Sequence, residues 1–277
     1  RRATIEAYSN CDSVLLYNDL TNEKATFLGR KKNNGTGTHF MWENRDIRYN
    51  VLRAVGYYKG KPVAEDLILL NGLEQAPNFE LLYQDDKKIL KGEAGYNYLY
   101  RLNCGGDDYT DSFGQLWLQD NTNYSRSWAE NFKDLNPYLA SQRTTNDPIH
   151  GTRDWTLFQH FRFGRHQLEY RFPVADGTYR IELYFTEPWH GTGGSASTDC
   201  EGLRIFDVAV NDSVVLDDLD IWAESGHDGV CKKVVYAIVK GGMLKIHFPE
   251  VKAGQALISG IAIASTDQEL KPTVFPA

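Results

Sequence analysis

Two runs of carboxylates are the first candidates for chemistry: Asp107, Asp108 and Asp111 in one polar stretch, and Asp217, Asp218 and Asp220 in another. Two acids facing each other across a glycosidic bond can cleave it, one as proton donor and the other as base or nucleophile. Acids bunched in polar loops more often form turns or hold calcium, and neither run has the spacing of an EF-hand loop. Gly193-Gly194-Ser195-Ala196-Ser197 half resembles a nucleophile elbow but lacks the strand-to-helix context that exposes the serine. The seven histidines are dispersed with no His-x-x-x-His spacing, and Cys11, Cys104, Cys200 and Cys231 form no Cys-x-x-Cys pair, which argues against zinc and redox sites. No catalytic residue and no cofactor is assigned, with a structural calcium left open.

Aromatic residues are a stronger signal. The chain has 6 Trp, 16 Tyr and 13 Phe, and several fall in polar, turn-rich stretches: Tyr109, Tyr124, Trp128, Trp155 and Trp189. Sugars present C–H faces that stack on rings while neighbouring polar groups take their hydroxyls, so such residues at one end of a β-sandwich suit carbohydrate binding. The competing reading makes each ring a plug that closes the sandwich.

The elements that must position them are strands. Short runs at Thr4–Tyr8, Val14–Tyr17, Ala25–Gly29, His39–Trp42, Val51–Tyr57 and Val63–Leu70 alternate with turn signals, which predicts a small Ig-like β-sandwich over residues 1–76. Residues 77–96 carry Pro77, mixed charge and two glycines and read as a linker. Longer strands follow at Tyr98–Asn103, Leu168–Phe172, Thr178–Phe185, Leu203–Val210, Lys233–Val239, Met243–Phe248 and Ile258–Ala264. In Thr178–Phe185 the residues Tyr179, Ile181, Leu183 and Phe185 share one face, and Arg180, Glu182 and Tyr184 the other. A helix is expected only around Ser127–Leu135. Residues 97–277 are therefore predicted to form a larger jelly-roll-type β-sandwich with long loops at 104–155 and 186–202, and the chain as a whole is all-β.

The 277 residues carry a net charge of −7, and the basic residues are scattered, which excludes a nucleic-acid partner. No apolar stretch reaches the ~18 to 20 residues of a membrane span. The alternation of strand and helix that a (β/α)₈ barrel needs is absent. The opening Arg1-Arg2-Ala3-Thr4 runs straight into a strand pattern and reads as a fragment of a longer polypeptide. The sequons at Asn34, Asn123 and Asn211 are at chance level. A Cys200–Cys231 bridge is open in an oxidising compartment, and Cys11 and Cys104 are expected to be buried thiols.

Arg101-Leu102-Asn103-Cys104-Gly105-Gly106, Ile205-Phe206-Asp207-Val208-Ala209-Val210-Asn211, Leu219-Asp220-Ile221 and Ile258-Ser259-Gly260-Ile261-Ala262-Ile263 resemble, in consistent order, the malectin domain family over residues 97–265. The resemblance implies a pocket of aromatics and one aspartate that holds a glucose disaccharide at the end of a sandwich. Leu157-Phe158-Gln159 resembles one pocket segment, which implies a pocket position for Phe158. Phe185-Thr186-Glu187-Pro188-Trp189-His190 resembles another and implies two for Trp189 and His190, with Tyr124 as a weaker match. The family's pocket aspartate falls at Gly254, beside Gln255.

Ile5-Glu6-Ala7-Tyr8-Ser9-Asn10-Cys11-Asp12-Ser13-Val14, Leu28-Gly29-Arg30-Lys31, Leu52-Arg53-Ala54-Val55-Gly56-Tyr57 and Val63-Ala64-Glu65-Asp66 are similar to the small Ig-like domain that follows the barrel in bacterial family 2 glycoside hydrolases. This implies a β-galactosidase-like catalytic barrel N-terminal to the chain. Together the two resemblances imply the non-catalytic C-terminal region of a secreted or periplasmic glycosidase, whose partners are an oligo- or polysaccharide and that catalytic domain. A purely structural buttress and a protein-interaction module are the alternatives.

Overall fold

The computed structural model describes residues 1–35, 39–120, 142–165, 168–191 and 199–272. It is all-β, and the chain divides into two compact units, one built mainly from Arg1–Asp85 and the other from Asp86–Thr145, Ile149–His190 and Cys200–Ala277. No described helix is long and apolar enough to cross a membrane.

The first unit holds β1 (Arg2–Tyr8), β2 (Ser13–Tyr17), β3 (Phe27–Lys32), β4 (His39–Asp46), β5 (Val51–Tyr58) and β6 (Lys61–Leu69). β1 pairs with β4, and the other four form a sheet in the order β3-β2-β5-β6. Val14, Leu16, Phe40 and Trp42 from both sheets make its core, as period-2 burial requires. The strand expected from Ala25 begins two residues later, because Lys24–Thr26 form a 3₁₀ turn.

The second unit runs β7 (Asn97–Cys104), β8 (Tyr109–Thr110), β9 (Leu116–Asp120), β10 (Gln142–Thr144), α1 (Trp155–Gln159), β11 (His160–Gly164), β12 (Glu169–Pro173), β13 (Gly177–Phe185), β14 (Ile205–Val210), β15 (Ser213–Leu219), α2 (Ile221–Ser225), β16 (Cys231–Val239), β17 (Met243–His247), β18 (Val251–Ala253), β19 (Ala256–Ile258) and β20 (Gly260–Ser265). One sheet has the order β16-β13-β20-β7-β9-β8 and another the order β12-β17-β14-β15, with β18 on β14. A third, β10-β11-β19, carries the site described below. Leu102, Ile181, Leu183, Phe185, Ile261 and Ile263 of the first sheet and Phe172, Phe206, Val208, Leu244 and Ile246 of the second belong to one buried core. Burial on this scale is the main favourable term in the unit's stability.

The stretch 104–155, expected as loop, carries strands. β9 adds in parallel to β7, and its Leu116-Trp117-Leu118 run is too short to show a period. The Asp111 carboxylate organises the approach by accepting the main-chain N–H groups of Phe113 and Gln115 and the Trp117 indole N–H, each at 2.9 Å. The helix expected at Ser127–Leu135 lies outside the described residues.

On β13 the predicted inward set is fully buried, but Glu182 and Tyr184 on the other face are buried too. Glu182 is surrounded by Tyr98, Tyr184, Arg180 and Lys232, and residues 89–93, read from sequence as part of a linker, hold two of these partners. Ile89 O accepts from Lys232 Nζ at 3.2 Å, Leu90 O from Gln115 Nε2 at 3.0 Å, and the Glu93 N–H donates to Tyr98 Oη at 2.8 Å. Cys11, Cys104, Cys200 and Cys231 are all buried thiols, so the Cys200–Cys231 bridge is not made.

Candidate functional site

The site is built where β13 ends. Glu187 and Pro188 are buried, Trp189 is 48% exposed and His190 is half-buried. The Glu187 carboxylate folds back on its own chain and accepts the main-chain N–H groups of Trp189 (3.0 Å) and His190 (3.1 Å) through Oε1. Arg204, just before β14, closes on the same carboxylate with Nε to Oε2 at 2.5 Å and Nη2 to Oε1 at 3.2 Å, and its Nη1 donates to Gln255 O at 2.5 Å. Both members of the pair are buried. A bidentate guanidinium–carboxylate contact with its other donors and acceptors satisfied is the form in which two charges tolerate burial. The Trp189–His190 turn is therefore pinned from inside the protein, and the indole is left at the surface.

Beneath the indole lies a ledge of two rings. Trp189 meets Phe161 at 6.1 Å and 82° and Phe163 at 6.0 Å and 76°, both edge-on contacts of the kind that hold a ring's orientation. Phe161 and Phe163 share one face of β11, and Arg162 between them points to the other. Arg162 is itself fully buried, with Nε to Asp120 Oδ2 at 2.6 Å and Nη2 to Oδ1 at 3.1 Å, and the Tyr170 hydroxyl donates to the same carboxylate at 3.0 Å. Burial, and then the Asp120 charge, push the Tyr170 hydroxyl well above its ordinary pKa, so it remains a donor. This network locks β11 and hence the ledge.

Gly254 and Gln255, at the position the resemblance gives to a pocket aspartate, join the site through their main chain. Gly254 has φ +62°, and a Cβ there would come within 2.9 Å of Leu203 O, so a side chain is excluded by both conformation and space. Its carbonyl accepts from Arg165 Nε at 2.9 Å. Arg143, on β10, lies over the Phe163 ring at 5.9 Å.

Of the residues expected to bind, Trp189 and His190 are brought together at this surface. Phe158 is not. It sits fully buried in α1, edge-on to Tyr184 at 6.2 Å, and Tyr184 in turn meets Trp117 at 5.3 Å. Leu157 and Phe158 are both fully buried in this structure, so the Phe158 ring is not at the Trp189 surface. Tyr124 and Trp128 lie outside the described residues. Trp155 is buried with its indole N–H on Thr152 O (2.8 Å), and Tyr109 donates to Asp154 at 2.8 Å; both are packing residues.

The acidic runs are structural as well. Asp111 serves Trp117, and Asp220 caps α2 by accepting from Ala223 N (3.0 Å) and takes the Gly202 N–H at 2.6 Å. Carboxylates of Asp207, Asp217 and Asp218 come within 4.8 Å of one another. Asp207 already accepts the Asp218 N–H at 2.9 Å, and Asp218 pairs with Lys252. Sequence reasoning missed Phe161, Phe163, Glu187 and Arg204. The Phe-x-Phe alternation of β11 was a usable signal for the first two; nothing local marks the ion pair, whose members are 17 positions apart.

Residues 98–269 match the Malectin domain, and residues 1–64 match a family described as a domain of unknown function (DUF4982). Malectin of Danio rerio is 25% identical over 166 residues, covering 58% of this chain and 52% of that protein. Malectin of Mus musculus is 26% identical over 149 residues, 53% of this chain and 45% of that protein. The chain thus spans about half the length of these relatives. Among solved structures, a beta-glucuronidase of Bacteroides uniformis aligns with 95% of this chain and 27% of its own at 24% identity and a TM-score of 0.46. The ANX2 ectodomain of Arabidopsis thaliana aligns with 97% of this chain and 82% of its own at 14% identity and a TM-score of 0.48. With the Malectin domain match extending over more than half of its residues, the chain belongs to the malectin domain family.

Proposed function

We propose that the chain binds carbohydrate at the Trp189 surface and serves as the non-catalytic, targeting part of a glycoside hydrolase polypeptide. The observation that carries this is the half-exposed Trp189 indole, backed edge-on by Phe161 and Phe163 and fixed at its main chain by Glu187. A rigid, exposed ring loses little entropy on stacking against a sugar face. His190 supplies a polar edge for hydroxyls, and Tyr124 is a further contact in this reading. Membership of the malectin domain family supports the ligand class. The resemblance read from the sequence of residues 3–70 to the domain after the barrel of family 2 glycosidases is the basis for the catalytic partner in this reading. In this arrangement residues 1–76 are the spacer and 97–277 the binding module. Tethering a weak site to a catalytic domain raises the enzyme's effective concentration on a polysaccharide, which implies work in the periplasm or outside the cell.

The test is retention of the 277-residue chain on a panel of glycan gels, beside Trp189→Ala. Retention lost in the variant with a melting temperature within a few degrees of the parent supports the reading; equal loss of binding and stability would make Trp189 a packing residue. A second reading, a buttress for the catalytic domain, is favoured by one feature: Val234, Tyr236 and Ile238 alternate along β16 and are 37%, 56% and 70% exposed. A covalently attached catalytic domain whose stability falls when these three are made polar would support it.

A further inference from the structure

We propose that the Trp189 site takes an acidic saccharide, with Arg143 and Arg165 receiving a carboxylate or sulfate carried by the sugar that stacks on the indole. The proposal rests on the carbohydrate reading above and adds the charge of the ligand.

The two arginines belong to the site. Arg143 lies over the Phe163 ring at 5.9 Å, and that ring touches Trp189. Arg165 follows β11 directly and donates Nε to Gly254 O; Gly254 packs against the main chain of Leu203 and Arg204, and Arg204 is the residue that holds Glu187. Both side chains are exposed.

Their electrostatic state sets them apart among the described arginines of the second unit. Arg153, Arg162, Arg171, Arg180 and Arg204 each pair with a carboxylate, and Arg101 is bonded to Gln115 and stacked on Tyr98. Among the described residues no carboxylate pairs with Arg143 or Arg165. In a chain of net charge −7, two guanidinium groups with no carboxylate partner among the described residues, one on β10 and one directly after β11, the strand that carries the indole's ledge, make a local positive field on an acidic molecule. The Arg165 Nε bond leaves the two terminal nitrogens, a planar fork matched to a carboxylate or sulfate. A neutral sugar would use the indole and leave that fork to water. A sugar bearing an acid group would use both.

The test is calorimetric titration of the 277-residue chain with a trigalacturonate, with the same trisaccharide methyl-esterified at every carboxylate, and with a sulfated galactan oligosaccharide. Expected is at least ~10-fold tighter binding of the acid than of its ester, the size of one hydrogen bond to a charged group, with the preference falling as salt is raised. Arg143→Gln and Arg165→Gln should each lower the acid-to-ester ratio, and the double variant should bring it to about 1, a loss of at least ~10-fold on the same scale, without moving the melting temperature, since both side chains are exposed. Tighter binding of the sulfated oligosaccharide, lost in the same variants, would support the proposal with sulfate as the group received. If ester and acid bind alike, or the arginine variants keep the preference, the acidic-ligand proposal is overturned while sugar binding stands. If nothing binds, or binding survives Trp189→Ala, both readings fall.

Discussion

Glu187 and Arg204 form a buried ion pair whose carboxylate also accepts the main-chain N–H groups of Trp189 and His190. One carboxylate thus joins interior electrostatics to the placement of a surface ring. Glu187→Gln keeps an acceptor for the two N–H groups but strands the Arg204 charge in the interior. Removing one member of a buried pair costs about 3–5 kcal/mol. Urea unfolding should show the midpoint falling by that equivalent with an unchanged slope. A loss under about 1 kcal/mol, the range of a surface pair, would mean that water reaches the pair.

Gly105 is the second residue on which the fold is expected to be sensitive. It has φ +76°, and a Cβ built there would meet Phe161 O at 2.9 Å. Alanine would add the cost of a left-handed backbone, about 1–2 kcal/mol, to an overlap with β11 of about 1–3 kcal/mol. Gly105→Ala should therefore lower the unfolding free energy by about 2–5 kcal/mol on those two scales together. Because Phe161 lies under Trp189, the same variant should alter Trp189 fluorescence before unfolding begins. A variant of parental stability would show that the two backbones can separate.

These two sites mark the limit of what was legible in the sequence. The period-2 run of β13 announces its buried face because it is a local property of the chain, whereas the close approach of Gly105 to Phe161 was not read from the sequence, where Gly105-Gly106 served only as part of a family motif. The surroundings of Glu182 were not legible, since two of its partners, Lys232 and Tyr98, are themselves held by residues 89–93, from a stretch whose own pattern is that of a connection. The burial of Phe158, given a pocket position by the resemblance, was not legible for a related reason. A segment likeness reports which residues align, whereas burial of the ring depends on Tyr184, 26 positions later. Trp189 and His190 were legible as a pair, but the Glu187–Arg204 contact that pins them joins elements that only the folded chain brings together.

Glu182 supplies the pH dependence. Burial alone would raise its carboxyl, but hydrogen bonds from Tyr184 and Arg180 and the Lys232 charge outweigh it, and its pKa falls below the ordinary value. A folded value below the unfolded one means that the contribution to stability is complete above the unfolded value and is lost as pH falls through the folded one. The difference in unfolding free energy between the parent and Glu182→Gln should be largest at neutral pH and shrink below pH ~4. A difference constant from neutral to acid would show that Glu182 does not titrate with unfolding.

The thiols provide a test that separates burial from compartment. Burial pushes the Cys231 thiol up to about 11 and the Cys104 thiol well above its ordinary value, with Asp120 adding to the latter. Only the thiolate attacks a disulfide reagent, so at pH 8 both sites are doubly protected, by access and by protonation. A chromogenic disulfide should react slowly with the native chain and rapidly, at all four cysteines, once urea unfolds it. The rate on the native chain should track unfolding, so that Glu187→Gln, which destabilises without touching a cysteine, accelerates it. Fast labelling of native protein would place a cysteine at the surface, and fewer than four reactive thiols in urea would show that a pair had oxidised before the chain was isolated.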